Sequence, residues 1–263
     1  MFKQPLRAII LLAAAFVCPP ALGWADYAAG QRAFLVGDYA TALKELQGDP
    51  KPEAMYRLGI MYDHGLGVPE DIQQAVQWYR KAADQGLDWA QFRLGQIYQY
   101  DRGVDKDPKA SLEWNLKAAR QGLGLAQYEC ATAYLLGLGT ERDEAEGLRW
   151  LHRAAVMRTM KAQYELAVRY ESGNGVAQDE TASTKWYLRA AEQGHAMAQY
   201  AYAMRLYRGR GVAANPAATL DWLRRAADQG HGRAKADLEN LTAGAPEQPQ
   251  PGRPPAEQGA PRQ

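Results

Sequence analysis

Tryptophan recurs at one fixed spacing through the middle of the chain: Trp78, Trp114, Trp150, Trp186 and Trp222 are each 36 residues from the next. An alanine pair follows each at a constant offset, from Ala82-Ala83 through Ala118-Ala119, Ala154-Ala155 and Ala190-Ala191 to Ala226-Ala227. Each copy opens on an alanine (Ala54, Ala90, Ala126, Ala162, Ala198, Ala234), and a glycine column runs through Gly67, Gly103, Gly139, Gly175 and Gly211. Tyr62, Tyr98, Tyr134 and Tyr170 form a further column, with Leu206 in the last place. So many columns in register without an insertion mean that the chain is built from stacked copies of one motif.

Each copy reads as two helices. In residues 54–89, Ala54, Leu58 and Tyr62 recur every four residues, with Gly59 beside them, and so bury one stripe of a first helix. Gly65-Leu66-Gly67-Val68-Pro69 stops that helix and makes a tight turn. Asp71 stands where it caps the next helix, whose inner face holds Ala75, Trp78, Tyr79, Ala82 and Ala83. Gly86 ends that helix as a left-handed residue. Small residues let the two axes approach, and the tryptophan fills the gap to the next hairpin. Neither helix buries its stripe alone, so the copies must stack.

The pattern Ala-x-Tyr-x-Leu-Gly-x-x-Tyr, Gly-x-Gly-Val, Ala-x-x-Trp-Tyr-x-x-Ala-Ala-x-x-Gly, standing here from Ala54 to Gly86, resembles the Sel-one-like repeat (SLR) family. That family is a relative of the tetratricopeptide repeat. The resemblance covers five full repeats, 54–233, and a partial sixth to about Leu241. It implies an all-α fold: a right-handed α-solenoid of stacked antiparallel helix pairs. It implies a scaffold rather than a particular activity.

The flanks complete the organisation. Residues 1–25 carry Lys3 and Arg7, a ten-residue apolar run from Ala8 to Val17, the break Pro19-Pro20, and the small residues Ala21, Gly23 and Ala25. This is the pattern of a cleavable secretory signal, with cleavage after Gly23 or after Ala25. Ten apolar residues are too few to cross a bilayer, which needs about 20. Val17 and Ala15 precede Cys18 where a lipidation signal has a small and an aliphatic residue, so lipidation is not expected. Residues 26–53 resemble one tetratricopeptide hairpin that caps the amino end, with Gly48-Asp49-Pro50-Lys51-Pro52 as a joint. Residues 233–241 supply a polar closing helix, and 242–263, rich in proline and glycine, read as a disordered or polyproline-like spacer. Cleavage would leave Cys130 as the remaining cysteine and exclude an intrachain disulfide. The expected compartment is the bacterial periplasm, with no stable membrane insertion after signal cleavage.

Charge and motifs exclude several functions. Lys plus Arg is 31 against Asp plus Glu 30, for a net charge of +1, which gives no basic face for nucleic acid. The Gly-x-Gly turns follow helices rather than strands and are not phosphate loops. His64, His152, His195 and His231 show no metal-ligand spacing. Cys130 sits in the column of Leu58, Leu94 and Leu166 and reads as a buried hydrophobe. No catalytic constellation, cofactor or metal is expected. Arg158 stands where the other repeats have Gly86, Gly122, Gly194 and Gly230, and the cost of a left-handed arginine predicts a helical or distorted stretch from Met157 to Met160. Asp101 and Thr140 also depart from the pattern, without a functional reading.

Recognition is left to positions the scaffold does not fix. On the first helix, the side opposite Leu58 holds positions 53, 56, 60, 63 and 64 and their equivalents, which by resemblance to tetratricopeptide repeats face a concave groove. The column Tyr56, Phe92, Tyr128, Tyr164, Tyr200 is aromatic throughout and reads either as packing between hairpins or as a ladder for a ligand. The other columns vary, and Trp89, Tyr100, Leu125, Leu135, Leu136, Met204 and Tyr207 are the candidate protein-binding residues, either exposed on the groove or partly buried against neighbouring helices. The expected function is a non-enzymatic periplasmic adaptor that binds a protein or peptide partner, in envelope assembly or signalling. The alternative is a binder or hydrolase of cell-wall or exopolysaccharide carbohydrate. Penicillin binding and weak β-lactam hydrolysis, associated with some cysteine-rich relatives, are not carried over, because those relatives have a disulfide in each repeat.

Overall fold

The computed structural model describes residues 26–100 and 103–243. The signal segment, Asp101 and the tail from residue 244 onward lie outside the described residues. Among the described residues there are thirteen α-helices and no strand. The chain divides into two compact parts between Gln85 and Gly86. The first part holds α1 (Tyr27–Val36), α2 (Tyr39–Leu46), α3 (Pro52–His64) and α4 (Ile72–Asp84). The second holds α5 (Asp88–Gln99), α6 (Pro108–Arg120), α7 (Gly124–Leu136), α8 (Glu144–Val156) and α9 (Met160–Ser172). It continues with α10 (Glu180–Glu192), α11 (Ala196–Arg208), α12 (Pro216–Asp228) and α13 (Gly232–Ala243). Within each part, helices consecutive in sequence pack on one another, as the fold class requires. Thr242 and Ala243 finish α13, so the closing helix runs two residues past its expected end.

The same local chemistry starts and stops each second helix. Asp71, Asp107, Asp143, Asp179 and Asn215 each accept a hydrogen bond from the backbone N–H three residues on, at 2.9–3.0 Å. The turn between the two helices of a repeat is glycine-rich for a second reason besides its positive φ. Gly211, at φ 64°, lies so close to the Glu180 carbonyl at the start of α10 that a methyl group there would collide with backbone.

The core follows the repeat columns. Leu58, Leu94, Cys130, Leu166 and Tyr202 are buried in turn, and so are the alanine pairs up to Ala190-Ala191. Gly59 admits Tyr79, whose ring carbons lie 2.5 Å from where a methyl at Gly59 would stand. The tryptophans are not the deepest residues of their helices. Trp150 and Trp186 are buried, whereas Trp78, Trp114 and Trp222 are half-buried. The residue after each is the inner one: Tyr79, Asn115, Leu151, Tyr187 and Leu223 are at most 3 % exposed. A cation three residues on covers each indole: Lys81, Lys117, Arg153, Arg189 and Arg225 stand 3.6–4.8 Å from the ring centroids. Trp186 also meets His152 of the preceding second helix edge-on at 5.9 Å, so the indole does fill the space between neighbouring hairpins there.

A buried glutamine ladder ties successive hairpins together. Gln127, Gln163 and Gln199 donate from Nε2 to the carbonyls of Ala119, Ala155 and Ala191, at 3.0–3.1 Å. The side-chain oxygens of Gln91, Gln163 and Gln199 accept from Gln121, Gln193 and Gln229 respectively, at 2.6–2.9 Å. In the third repeat Met157 occupies the donor's place, and Gln127 Oε1 is left buried without a partner.

The expectation for Arg158 is overturned. α8 ends at Val156, and Arg158 takes φ 62° in the place of the missing glycine. Thr159 donates to the Ala154 carbonyl at 3.0 Å, as His195 does to Ala190 at 3.1 Å in the next repeat. The cap geometry is set by packing on both sides of the turn. Thr159 is buried, and its hydroxyl sits so close to Gly124 that a methyl there would collide with it. The arginine therefore accepts a left-handed conformation costing about 1–2 kcal/mol.

Candidate functional site

The principal groove lies in the second part and has a volume of about 660 Å³. It is lined by three successive first helices. α9 contributes Tyr164 and Glu171, α11 contributes Met197, Tyr200, Met204 and Arg208 among others, and α13 contributes Arg233, with His231 just before it. All of these but His231 fall in the columns of positions 53, 56, 60, 63 and 64, the side of the first helix opposite Leu58.

The aromatic column packs between hairpins. Tyr164 stacks on His195 and Tyr200 on His231, both with centroids 4.6 Å apart, and Tyr164 also meets Tyr187 at 5.7 Å. Each histidine in turn caps the following helix, Nδ1 accepting from Ala198 or Ala234 at 3.2 Å. Burial, and then the charge of Lys161, holds the His195 pKa below its ordinary value, which keeps it neutral as an acceptor. Tyr200 donates to Asp237 at 3.0 Å.

One end of the groove is built around an ion pair between the buried Arg205 and the exposed Glu171. Arg205 Nη2 lies 2.9 Å from Glu171 Oε1, and Tyr187 donates to Glu171 Oε2 at 2.6 Å. Arg205 also donates to the Thr184 hydroxyl at 3.2 Å and leans on the Tyr187 ring. Burial first, and then the hydrogen bond to Glu171, raises the Tyr187 pKa. Arg205 and Glu171 thus satisfy each other, and Arg208, Arg210 and Arg233 remain exposed on the groove. Among the described residues these three have no carboxylate partner.

The residues expected from sequence divide. Met204 is half-buried on the groove wall, and Tyr207, on the same helix, is exposed beside it. Trp89, Tyr100, Leu125 and Leu136 are exposed by 44 %, 57 %, 42 % and 66 %, Trp89 and Leu125 at equivalent places in successive repeats. Tyr100 lines a smaller pocket of about 160 Å³ with Lys106, Glu129 and Leu138. Leu135 requires correction: it is 8 % exposed and covers Gly147 of α8, where a methyl would lie 2.6 Å from its Cγ. It faces the second helix of its own repeat, as Asp63 does in the first repeat by accepting from Tyr79 at 3.1 Å. The arginines at 205, 210 and 233 were not anticipated. They belong to three different columns and are not neighbours in sequence, so no single column carried the signal.

Among the described residues no three His, Cys, Asp or Glu side chains could share a metal ion. Burial pushes the Cys130 thiol up to about 12, with Glu129 adding to the shift, so it stays protonated. No helix among the described residues is long and apolar enough to cross a membrane.

The Sel1 repeat family profile matches the chain five times, at residues 52–87, 90–123, 124–155, 161–195 and 196–231. The chain belongs to the Sel1 repeat family. Two solved structures support the assignment. One is c5321, a protective antigen present in uropathogenic Escherichia coli strains and displaying an SLR fold. It is 33 % identical with a TM-score of 0.75, over 84 % of this chain and 49 % of that one. The other is a Sel1 repeat protein from Oxalobacter formigenes, also 33 % identical with a TM-score of 0.75, over 83 % of this chain and 90 % of that one. This chain therefore spans about half the length of the first structure and most of the second. No curated relative matches significantly. Sel1 repeats are protein-interaction modules, generally without catalytic activity, and the helix-pair scaffold described above is theirs.

Proposed function

We propose that the protein is a non-enzymatic, exported adaptor that holds a protein or peptide partner on the exposed side of its first helices. The observation that carries this reading is the groove over α9, α11 and α13, where residues from three repeats converge on one open space. Its size lies within the roughly 300–1,000 Å³ usual for binding pockets. Exposed Trp89, Tyr100, Leu125, Leu136, Met197 and Tyr207 add large apolar side chains to the same helix positions along the array. Such residues supply most of the energy at protein interfaces. The carbohydrate alternative is less well supported, since the tyrosine faces that would stack on sugar rings are taken by His195 and His231. The signal pattern at the amino end supports a periplasmic location and a role in envelope assembly or signalling.

Trp89→Ala and Tyr207→Ala are expected to weaken partner capture by about 2 kcal/mol each, with thermal melting unchanged. Capture at full strength by both variants would contradict the reading. Amino-terminal sequencing of the exported chain is expected to begin at Trp24 or Asp26. An intact Met1 would contradict export by a cleaved signal.

A further inference from the structure

We propose that the groove over α9, α11 and α13 takes an acidic peptide segment of the partner, its carboxylates on Arg208, Arg210 and Arg233 and an apolar side chain against Met197 and Met204. This rests on the adaptor reading and specifies the partner's chemistry. The groove carries four arginines and a single glutamate among its lining residues. Arg205 is used internally by Glu171, and Asp237 by the Tyr200 hydroxyl. Among the described residues the remaining three guanidinium groups, exposed on the groove, have no carboxylate partner. Three like charges so placed repel one another, and an opposite charge set between them relieves that repulsion. Guanidinium presents a planar fork of donors that matches a carboxylate in two hydrogen bonds.

The rest of the lining chooses among anions. Met197 and Met204 form an adaptable apolar wall that accommodates a peptide side chain. A nucleic acid would need a basic track along its backbone, and a chain with 31 basic and 30 acidic residues has no charge excess to build one. The three arginines are instead confined to the end of α11, the turn after it and the first turn of α13.

The test uses the full chain and fluorescence polarisation with a short fluorescein-labelled peptide alternating glutamate and leucine. Its glutamine-leucine twin and a single-stranded oligonucleotide of equal formal charge serve as competing probes. The acidic peptide is expected to bind, with affinity falling as salt rises. The double variant Arg208→Glu/Arg233→Glu should lose at least roughly tenfold in affinity. Lys185→Glu, at an exposed site on α10 outside the groove, should leave binding unchanged. Absence of acidic-peptide binding would overturn the proposal. So would equal binding of the glutamine twin, or arginine-dependent binding that favours the oligonucleotide. Loss of acidic-peptide binding together with intact partner capture, still sensitive to Trp89→Ala, would sink this inference and spare the adaptor reading.

Discussion

The third and fifth repeats share one scaffold and depart from its pattern in different places. The third departs at the joint between hairpins: Met157 replaces the ladder glutamine and Arg158 the cap glycine. The result is a buried acceptor on Gln127 without a partner and an arginine at φ 62°. The fifth departs on the side facing solvent, where Arg208 and Arg210 stand, and its opening-face column ends on Arg233. Those changes break no hydrogen bond in the array and leave unpaired charge in a groove. A repeat scaffold tolerates both kinds of departure, but the first disturbs the fold and the second alters only what the surface offers. Recognition in this protein is thus expected where variation costs the fold least.

The largest test of this contrast lies in the column both repeats share. Trp150→Ala should destabilise the chain by about 3–5 kcal/mol, as for a buried tryptophan, measured by urea denaturation. A loss below about 0.5 kcal/mol, the scale of a surface change, would remove the indoles from the core. Next comes repair of the third joint. Met157→Gln with Arg158→Gly should stabilise by about 1–3 kcal/mol, by giving Gln127 Oε1 a donor and relieving the left-handed arginine. No gain would mean that the joint is not strained. The groove substitutions Arg208→Glu and Arg233→Glu should change stability by less than about 0.5 kcal/mol. A larger loss would show that these arginines belong to the scaffold.

A pH-dependent effect concerns His195, the helix cap under Tyr164. Its folded-state pKa is depressed, chiefly by burial, so the fold favours the neutral ring. The stability it contributes is therefore full above the ordinary histidine value of 6.5 and is lost as pH falls through the lower folded value. His195→Asn keeps a capping acceptor without a titrating ring. Melting temperatures from pH 7 to 5 should fall less for this variant than for the natural chain. The difference should stay below about 1 kcal/mol, the worth of an N-cap. Identical pH profiles would contradict the capping role.

Periodicity made most of the scaffold legible. The helix pairs, the Asp71-type caps, the burial of Cys130 and the side of α11 that lines the groove all followed from columns of like residues. Arg158 was misjudged because local propensity was weighed without the packing of Thr159 and Gly124, which holds the turn in one geometry. Leu135 was misplaced because a helical-wheel argument ignored the second helix of its own repeat, which lies over it through Gly147. The cation column from Lys81 to Arg225 and the ladder from Gln91 to Gln199 were visible as repeats. Their purpose was not, because it depends on which hairpin each side chain meets. The arginine groove was least legible, since it is assembled from single residues of different columns.

Site-specific photo-crosslinking in intact cells tests the central claim most directly. A photoreactive residue placed at Met197 or Tyr207 should join the chain to one discrete protein, through an acidic segment located by mass spectrometry. The same residue at Lys185 or Lys117, on second helices, should give no such product. Crosslinks from the second-helix positions, with none from Met197 or Tyr207, would place recognition elsewhere and contradict the account.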